Sequence, residues 1–175
     1  MRRLGAIFLS DIVGYSKMMA QDEVGTLAQL RSFSKNVVNP TLDKHSGIII
    51  KSMGDGWLIV FRSASNAVDW EVDWHKISKS QGKIELRFGI HIGDVANDDG
   101  PPSDVFGYTI NIAARLEFVA EAGDVVISAA TYLCLGQNRA APFNNCDQQT
   151  LRNIARPVEI WSCGRLNVSS KAMAH

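Results

Sequence analysis

Two short apolar runs on either side of a glycine-containing turn constrain the fold more than any other feature of this sequence. Residues 47–51 and 57–61 are rich in Ile, Leu and Val, and the turn 52–56 between them contains two glycines. Apolar runs of this length, joined through glycines, are typical of two antiparallel strands in a hairpin. The sequence therefore predicts a hairpin with Asp55 at its tip.

The patterns on either side of the hairpin alternate between helix and strand. Apolar residues recur at helical spacing before and after it, and a nearly continuous apolar run near the start of the chain stops just before Asp11. The predicted elements around the hairpin are a strand at 4–9, a helix at 22–39 that Pro40 disturbs, a helix at 63–80 and a strand at 84–92. The order βαββαβ predicts an α+β fold with a ferredoxin-like split βαβ core.

The remainder of the chain adds a helix and strands to this core on its C-terminal side. A turn-rich loop at 97–103 leads to Asp104. The later predicted elements are a helix at 109–121 and strands at 124–127 and 157–161.

Length and composition favour a single compact domain. The chain has 175 residues, of which 46% are hydrophobic and 21% charged, close to globular averages and unlike a disordered or collagenous chain. We expect one domain over residues 1–166 and a polar C-terminal tail at 167–175.

Charge and cysteine content exclude several classes of partner and compartment. The 18 basic and 18 acidic residues give a net charge of 0, so no global charge attracts nucleic acid. No apolar run approaches the roughly 18 residues of a spanning helix, so we expect no direct membrane insertion. Three cysteines, an odd number without a paired spacing, favour a reducing, cytoplasmic environment.

Two acidic residues at the ends of apolar strands are candidate metal ligands. Asp11 follows the first strand and Asp55 lies between glycines in the hairpin turn. If the strands are neighbours, the carboxylates converge, and two carboxylates completed by substrate phosphates are a common way to hold Mg²⁺. The alternative is structural, because a hairpin turn favours Gly-Asp-Gly and Asp11 could simply begin a turn.

Asn111 and Arg115 are a second candidate pair. They are four residues apart on a predicted helix and therefore share one face. An amide and a guanidinium on one face could orient a sugar and stabilise charge on a phosphoryl group. The alternative is an ordinary solvated helix surface, and Lys51 could likewise be an ordinary charge at a strand end.

Four longer motifs occur in order along the chain: FLSDIVGYS at 8–16, KSMGDG at 51–56, RFGIH at 87–91 and DVFGYTINIAAR at 104–115. In their order and spacing they resemble the class III adenylate/guanylate cyclase catalytic domain of bacterial type. The resemblance extends from about Leu4 to Trp161. The resemblance implies the class III cyclase fold and nucleotide cyclase activity.

The resemblance also implies a role for each matching residue. The metal ligands would be Asp11 and Asp55, holding two Mg²⁺ or Mn²⁺ ions per active site. The other implied contacts are Lys51 and Asp104 with the purine edge, Asn111 with the ribose, Arg115 with the α-phosphate, and Arg152 with the terminal phosphates. The family usually has a lysine at the last position, and arginine keeps the charge with a different shape.

These implied contacts favour ATP as the substrate. A lysine can donate to adenine N1 and an aspartate can accept from the adenine amino group, whereas guanine reverses this donor pattern. The expected reaction forms cyclic AMP and pyrophosphate in a head-to-tail homodimer whose two sites each take residues from both subunits. The alternatives are a guanylate cyclase and a catalytically inactive, nucleotide-binding signalling domain. Because only three residues precede the first predicted strand, we expect regulation to come from a partner, solution conditions or further parts of a longer protein.

Overall fold

A computed structural model describes residues 2–81, 84–96 and 107–164 of the chain. The strands are β1 (Arg2–Ile12), β2 (Gly47–Ser52), β3 (Trp57–Phe61), β4 (Leu86–Ala96), β5 (Asp124–Ser128), β6 (Asn144–Gln149) and β7 (Val158–Gly164). The helices are α1 (Tyr15–Gln21), α2 (Glu23–Phe33), α3 (Asn39–Lys44), α4 (Ala64–Gln81), α5 (Tyr108–Val119), α6 (Ala129–Leu133) and α7 (Gln137–Ala140), with a π-helical turn (Ser34–Val38) between α2 and α3.

The strands form one seven-stranded sheet in the order β2-β3-β1-β4-β5-β7-β6. Its first four strands pair antiparallel in the order β2-β3-β1-β4, which is the arrangement of a ferredoxin-like core. The parallel pairing of β4 with β5 then joins the C-terminal strands to this core. The predicted ferredoxin-like core with C-terminal additions is confirmed.

Helices cover the two faces of the sheet unequally. The helices α2 to α4 pack on one face over a large aromatic core, in which Phe8 of β1 contacts Phe61, Trp70 and Phe88 edge-on or tilted. On the other face, α5 packs against β1 and β4. Asp11 shares the α5 face, because side chains alternate along β1 and Leu9, two residues before it, belongs to the smaller core under α5.

Two glycines of β4 allow α5 to lie very close to the sheet. A Cβ on Gly89 would overlap backbone atoms of Ala113 and Glu117, and one on Gly93 would meet the Thr109 side chain at 2.7 Å. Any larger residue at Gly89 would therefore push the helix away. This close packing positions the α5 side chains relative to the end of β1.

The predicted helix at 22–39 is wrong in its extent. It begins as α2 and continues beyond Pro40 to Lys44, with the π-helical turn in between. Proline lacks an amide hydrogen and disturbs the ordinary helical bonding before it. Here Pro40 lies in the first turn of α3, where it is tolerated, and the Thr41 hydroxyl donates to the Val37 carbonyl at 2.6 Å.

Other differences concern element ends and short elements. The strand predicted at 4–9 extends to Ile12, so Asp11 lies inside β1 rather than after it, and the strand predicted at 84–92 extends to Ala96. The short elements α1, α6, α7 and β6 were not predicted. The loop at 97–103, Asp104 and the tail at 167–175 lie outside the described residues.

Within the part of the chain that the structure covers, no helix combines the length and apolarity needed to cross a bilayer.

Candidate active site

Asp11 and Asp55 are brought together at one end of the sheet. The central strand β1 pairs with β3, whose hairpin turn carries Asp55. The Ile12 amide donates to the backbone carbonyl of Asp55 at 2.6 Å, so the turn lies directly beside the end of β1. Both side chains are half-buried. The end of β1 and the hairpin turn therefore meet, and the convergence of the two carboxylates on a metal stays a prediction.

Glycine at position 56 makes this close approach possible. A Cβ there would overlap the carbonyl oxygen of Ser10, so no other residue fits without moving the turn. The Trp57 amide donates to the Ser10 hydroxyl at 3.1 Å, which fixes the turn to β1 a second time. Gly54 has a φ of 83°, a left-handed conformation that favours glycine.

Arg87 is a third charged residue at this end of the sheet. It lies directly across from Asp11 in the antiparallel pairing of β1 with β4. Its Nη2 donates to Oδ2 of Asp11 in a half-buried ion pair. A guanidinium cannot lose its proton at physiological pH, so Asp11 carries a permanent cation in this arrangement.

Glu117 of α5 completes the cluster of charges. Its Oε1 lies 3.7 Å from Nε of Arg87, and within the described residues neither of these buried atoms has a hydrogen-bond partner. The pKa of Glu117 is raised to about 7, mainly by burial and also by the charge of Asp11; Arg87 opposes the shift and Asp55 adds to it. Three carboxylates therefore lie close enough to influence one another around one arginine.

The donor set fits divalent cations that are completed by a substrate. Across residues 2–81, 84–96 and 107–164, no three His, Cys, Asp or Glu side chains are arranged as a closed metal site. Two carboxylates, of which Asp11 is paired with Arg87, match the way proteins hold Mg²⁺ with nucleotides, where the other ligand positions are left to water or phosphate oxygens. Asp11 and Asp55 are the residues that could hold such ions.

Asn111 and Arg115 lie on α5, away from its buried face. Asn111 is exposed and Arg115 half-buried, whereas Ile112, Ala113 and Leu116 are buried against the sheet and the C-terminal strands. At 1.5 Å of rise per residue, Asn111 is about 9 Å along the helix from Glu117. The predicted pair shares a face, but the structure does not gather it into the cluster of Asp11 and Asp55.

Two of the other predicted contacts, Lys51 and Arg152, are exposed. Lys51 lies near the end of β2, beside an irregularity in the pairing with β3. Arg152 lies in the loop before β7, where its neighbours Leu151 and Ile154 pack against α5. Asp104 lies outside the described residues, so its position next to Lys51 stays a prediction.

His91, the histidine of the third motif, is part of the sheet's internal hydrogen bonding. Its Nδ1 lies 2.7 Å from the Ser128 hydroxyl, which is in turn 2.9 Å from the Thr131 hydroxyl. Burial lowers the pKa of His91 to about 4, so the ring is neutral near pH 7. The group joins β4 to the start of α6.

Comparison with known proteins identifies the family. The model of the adenylate and guanylate cyclase catalytic domain matches residues 4–161. The chain belongs to this family. The match includes β1 with Asp11, the hairpin with Asp55 and the whole of α5, so all the residues discussed above lie within the cyclase domain.

Individual relatives agree with this assignment. The cyclase domain is 36% identical over 168 residues to putative adenylate cyclase 3 of Rhizobium meliloti, covering 92% of this chain and 28% of that protein. It spans 20% and 36% of two further curated relatives, so it matches only part of each of these proteins.

Solved structures confirm the class III cyclase fold. The crystal structure of an adenylate/guanylate cyclase/hydrolase from Silicibacter pomeroyi superposes with a TM-score of 0.82 at 30% identity, covering 93% of this chain and 97% of that one. The adenylyl cyclase CyaB from P. aeruginosa superposes with a TM-score of 0.76 at 25% identity, covering 100% and 98%.

Sequence reasoning missed the roles of Arg87 and Glu117 in the cyclase domain. Arg87 was part of a recognised motif, but its partner Asp11 is 76 residues away and their pairing depends on strand register. Glu117 follows Arg115 by two residues and gave no signal in its spacing. The one sequence feature that could have indicated the contact is Gly89, since its lack of a side chain lets α5 pack closely on β4.

Proposed function

We propose that this cyclase domain is an adenylate cyclase, which converts ATP to 3′,5′-cyclic AMP and pyrophosphate. The observation that carries the proposal is the pair Asp11 and Asp55, held side by side at the end of the central strand with a cation already on one of them. The relative from Rhizobium meliloti, named a putative adenylate cyclase, supports adenine as the base.

The reaction exchanges one phosphorus–oxygen bond for another. The ribose 3′-oxygen bonds to the α-phosphorus, the bond from that phosphorus to the β-phosphate breaks, and pyrophosphate leaves while the 3′-hydroxyl proton passes to solvent. Asp11 and Asp55 would hold two Mg²⁺ or Mn²⁺ ions, whose chemistry is to lower the pKa of the 3′-hydroxyl and neutralise phosphate charge. Arg87, beside these carboxylates, offers a further positive charge to the triphosphate.

The remaining contacts would hold the nucleotide in the orientation that this reaction needs. Lys51 would donate to adenine N1, and Asp104 would accept from the adenine amino group. Asn111 would hydrogen-bond the ribose, and Arg115 would stabilise the charge that develops on the α-phosphate. Arg152, in the exposed loop before β7, would contact the terminal phosphates.

We further propose that the active sites are shared across a head-to-tail homodimer. Asn111 lies on a part of α5 that does not face Asp11 and Asp55, and its side chain is exposed. A second subunit that presents its own α5 to these carboxylates would complete a site, and the symmetry would produce two. The odd number of cysteines favours a cytoplasmic location for this dimer.

The test is chromatographic identification of the product formed from ATP and, separately, from GTP with Mg²⁺ or Mn²⁺. The protein concentration should be high enough to populate a dimer. We expect cyclic AMP, formed from ATP at least about tenfold faster than cyclic GMP is formed from GTP. The variant Asp55→Asn should lose the activity, whereas the exposed Asp43→Asn control should keep it.

Two outcomes would contradict the proposal. Faster formation of cyclic GMP would make the domain a guanylate cyclase. No product from either nucleotide, with a dimer demonstrated, would indicate a nucleotide-binding signalling domain without catalytic activity.

A further inference from the structure

Arg87 lies between two carboxylates that belong to different elements. Asp11 of β1 binds its Nη2, and Glu117 of α5 lies 3.7 Å from its Nε. The two contacts use different nitrogens of one guanidinium. The arginine therefore has two carboxyl partners within a small movement of its head group.

The two contacts are unequal. The contact with Asp11 is a hydrogen-bonded ion pair. The contact with Glu117 is too long for a hydrogen bond, and among the described residues both Nε of Arg87 and Oε1 of Glu117 are buried without a hydrogen-bond partner. Buried polar groups normally find partners, so closing this gap would satisfy both atoms.

We propose that Arg87 exchanges partners when a divalent cation binds: it lies on Asp11 when the cation is absent and moves to Glu117 when the cation takes the Asp11 carboxylate. Glu117 is then a positioning residue, which receives the displaced guanidinium and makes Asp11 available. This inference rests on the metal site of the proposed function.

The charge of arginine provides the driving force for the exchange. A divalent cation and a guanidinium on the same carboxylate oxygen would repel each other, and the guanidinium cannot become neutral. Arg87 must therefore move to another acidic group, or it stays on Asp11 and competes with the cation for that carboxylate. Glu117 is the acidic group whose distance from Arg87 is already close to the required one.

The packing allows this movement without a change in the backbone. Closing the distance between Nε and Oε1 from 3.7 Å to that of a charge-assisted hydrogen bond needs a shift of about 1 Å. The close contact of α5 with Gly89 holds the Glu117 backbone in place, and pairing with β1 holds that of Arg87. Only the side-chain torsions need to change.

The experiment measures Mn²⁺ binding in the absence of nucleotide, with free Mn²⁺ followed by electron paramagnetic resonance. Four proteins are compared: wild type, Glu117→Gln, Arg87→Met and the double variant. We expect Glu117→Gln to raise the Kd for Mn²⁺ about tenfold, because Arg87 loses its second partner and stays on Asp11. Arg87→Met should lower the Kd, because the competitor is gone.

The double variant distinguishes positioning from direct binding. In the Arg87→Met background, Glu117→Gln should change the Kd by about threefold or less, because there is no displaced arginine for Glu117 to bind. An equal, tenfold effect in both backgrounds would mean that Glu117 acts on the cation directly, and would overturn the proposal. An unchanged Kd in Glu117→Gln would overturn it as well.

Controls separate this inference from folding and from the proposed function. Thermal unfolding with a chelator present should show all four proteins folded, and Glu121→Gln, the same charge change at an exposed position just beyond α5, should leave the Kd unchanged. Mn²⁺ binding that Asp11→Asn and Asp55→Asn abolish, but that Glu117→Gln does not affect, would contradict the partner exchange alone. Wild type without any Mn²⁺ binding would contradict both the metal site and the exchange.

Discussion

Gly89 of β4 lies directly beneath the backbone of Glu117 in α5, so closely that a Cβ on the glycine would overlap the Glu117 amide nitrogen. This contact sets the distance between α5 and the sheet. It thereby positions Glu117 next to Arg87, and the outward residues Asn111 and Arg115 on the same helix. Gly89 therefore controls the position of several candidate site residues.

Gly89→Ala should therefore destabilise the protein by about 3 kcal/mol, because three backbone atoms of α5 must move to admit the methyl group. Gly136→Ala is the matched control, since a Cβ there meets nothing within 4 Å, and it should change stability by less than about 0.5 kcal/mol. Urea unfolding measures both. Equal midpoints for Gly89→Ala and wild type would mean that the helix is not held this close.

Lys51→Glu should lower kcat/KM for ATP about ten- to a hundredfold, because the variant places an acceptor where adenine N1 needs a donor. Lys35→Glu makes the same charge change at an exposed position on the helical segment between α2 and α3, and should leave ATP turnover unchanged. Steady-state kinetics at saturating Mn²⁺, with thermal unfolding as the folding check, measure the difference. Unchanged ATP kinetics in Lys51→Glu would remove this lysine from base recognition.

His91 should make the folded protein less stable at acid pH than at neutral pH. Its folded pKa of about 4 lies below the ordinary 6.5, so between these values the unfolded chain binds a proton that the folded protein does not. The stability of wild type relative to His91→Asn should be constant above about pH 6.5 and should fall towards pH 4, by at most about 1.4 kcal/mol for each pH unit. Urea unfolding of both proteins over this range gives the difference.

A difference between wild type and His91→Asn that stays constant from neutral to acid pH would contradict this account of the buried ring. Asparagine is suitable for the comparison because its amide can occupy the position of Nδ1 next to Ser128 and does not titrate. Asp73 titrates outside this window, since its contact with Lys44 lowers its pKa to about 2.

The sequence allowed a sound prediction of the ferredoxin-like core, because apolar periodicity and the turn at Gly54 and Gly56 are local signals. It also led to the prediction that Asp11 and Asp55 converge, and the structure brings the end of β1 and the hairpin turn together. The helix through Pro40 was predicted to end too early, because the tolerance of proline there depends on a π-helical turn that propensity does not reveal.

The roles of Arg87 and Glu117 depend on tertiary contacts. The contact between Arg87 and Asp11 follows from the register of β1 against β4, and a shift by one residue would place Arg87 beside a different neighbour. The contact with Glu117 follows from the packing of α5 at Gly89. Neither the register of the strands nor the distance of α5 from the sheet can be read from the spacing of residues in one sequence.

The central claim is that each subunit carries two incomplete halves of an active site, one around Asp11 and Asp55 and one around Asn111 and Arg115. The most direct measurement mixes Asp55→Ala and Arg115→Ala subunits, each inactive alone, and assays cyclic AMP formation from ATP. The account predicts recovered activity, because each mixed dimer contains one intact site. Mixed dimers that are shown to form and yet make no cyclic AMP would contradict it.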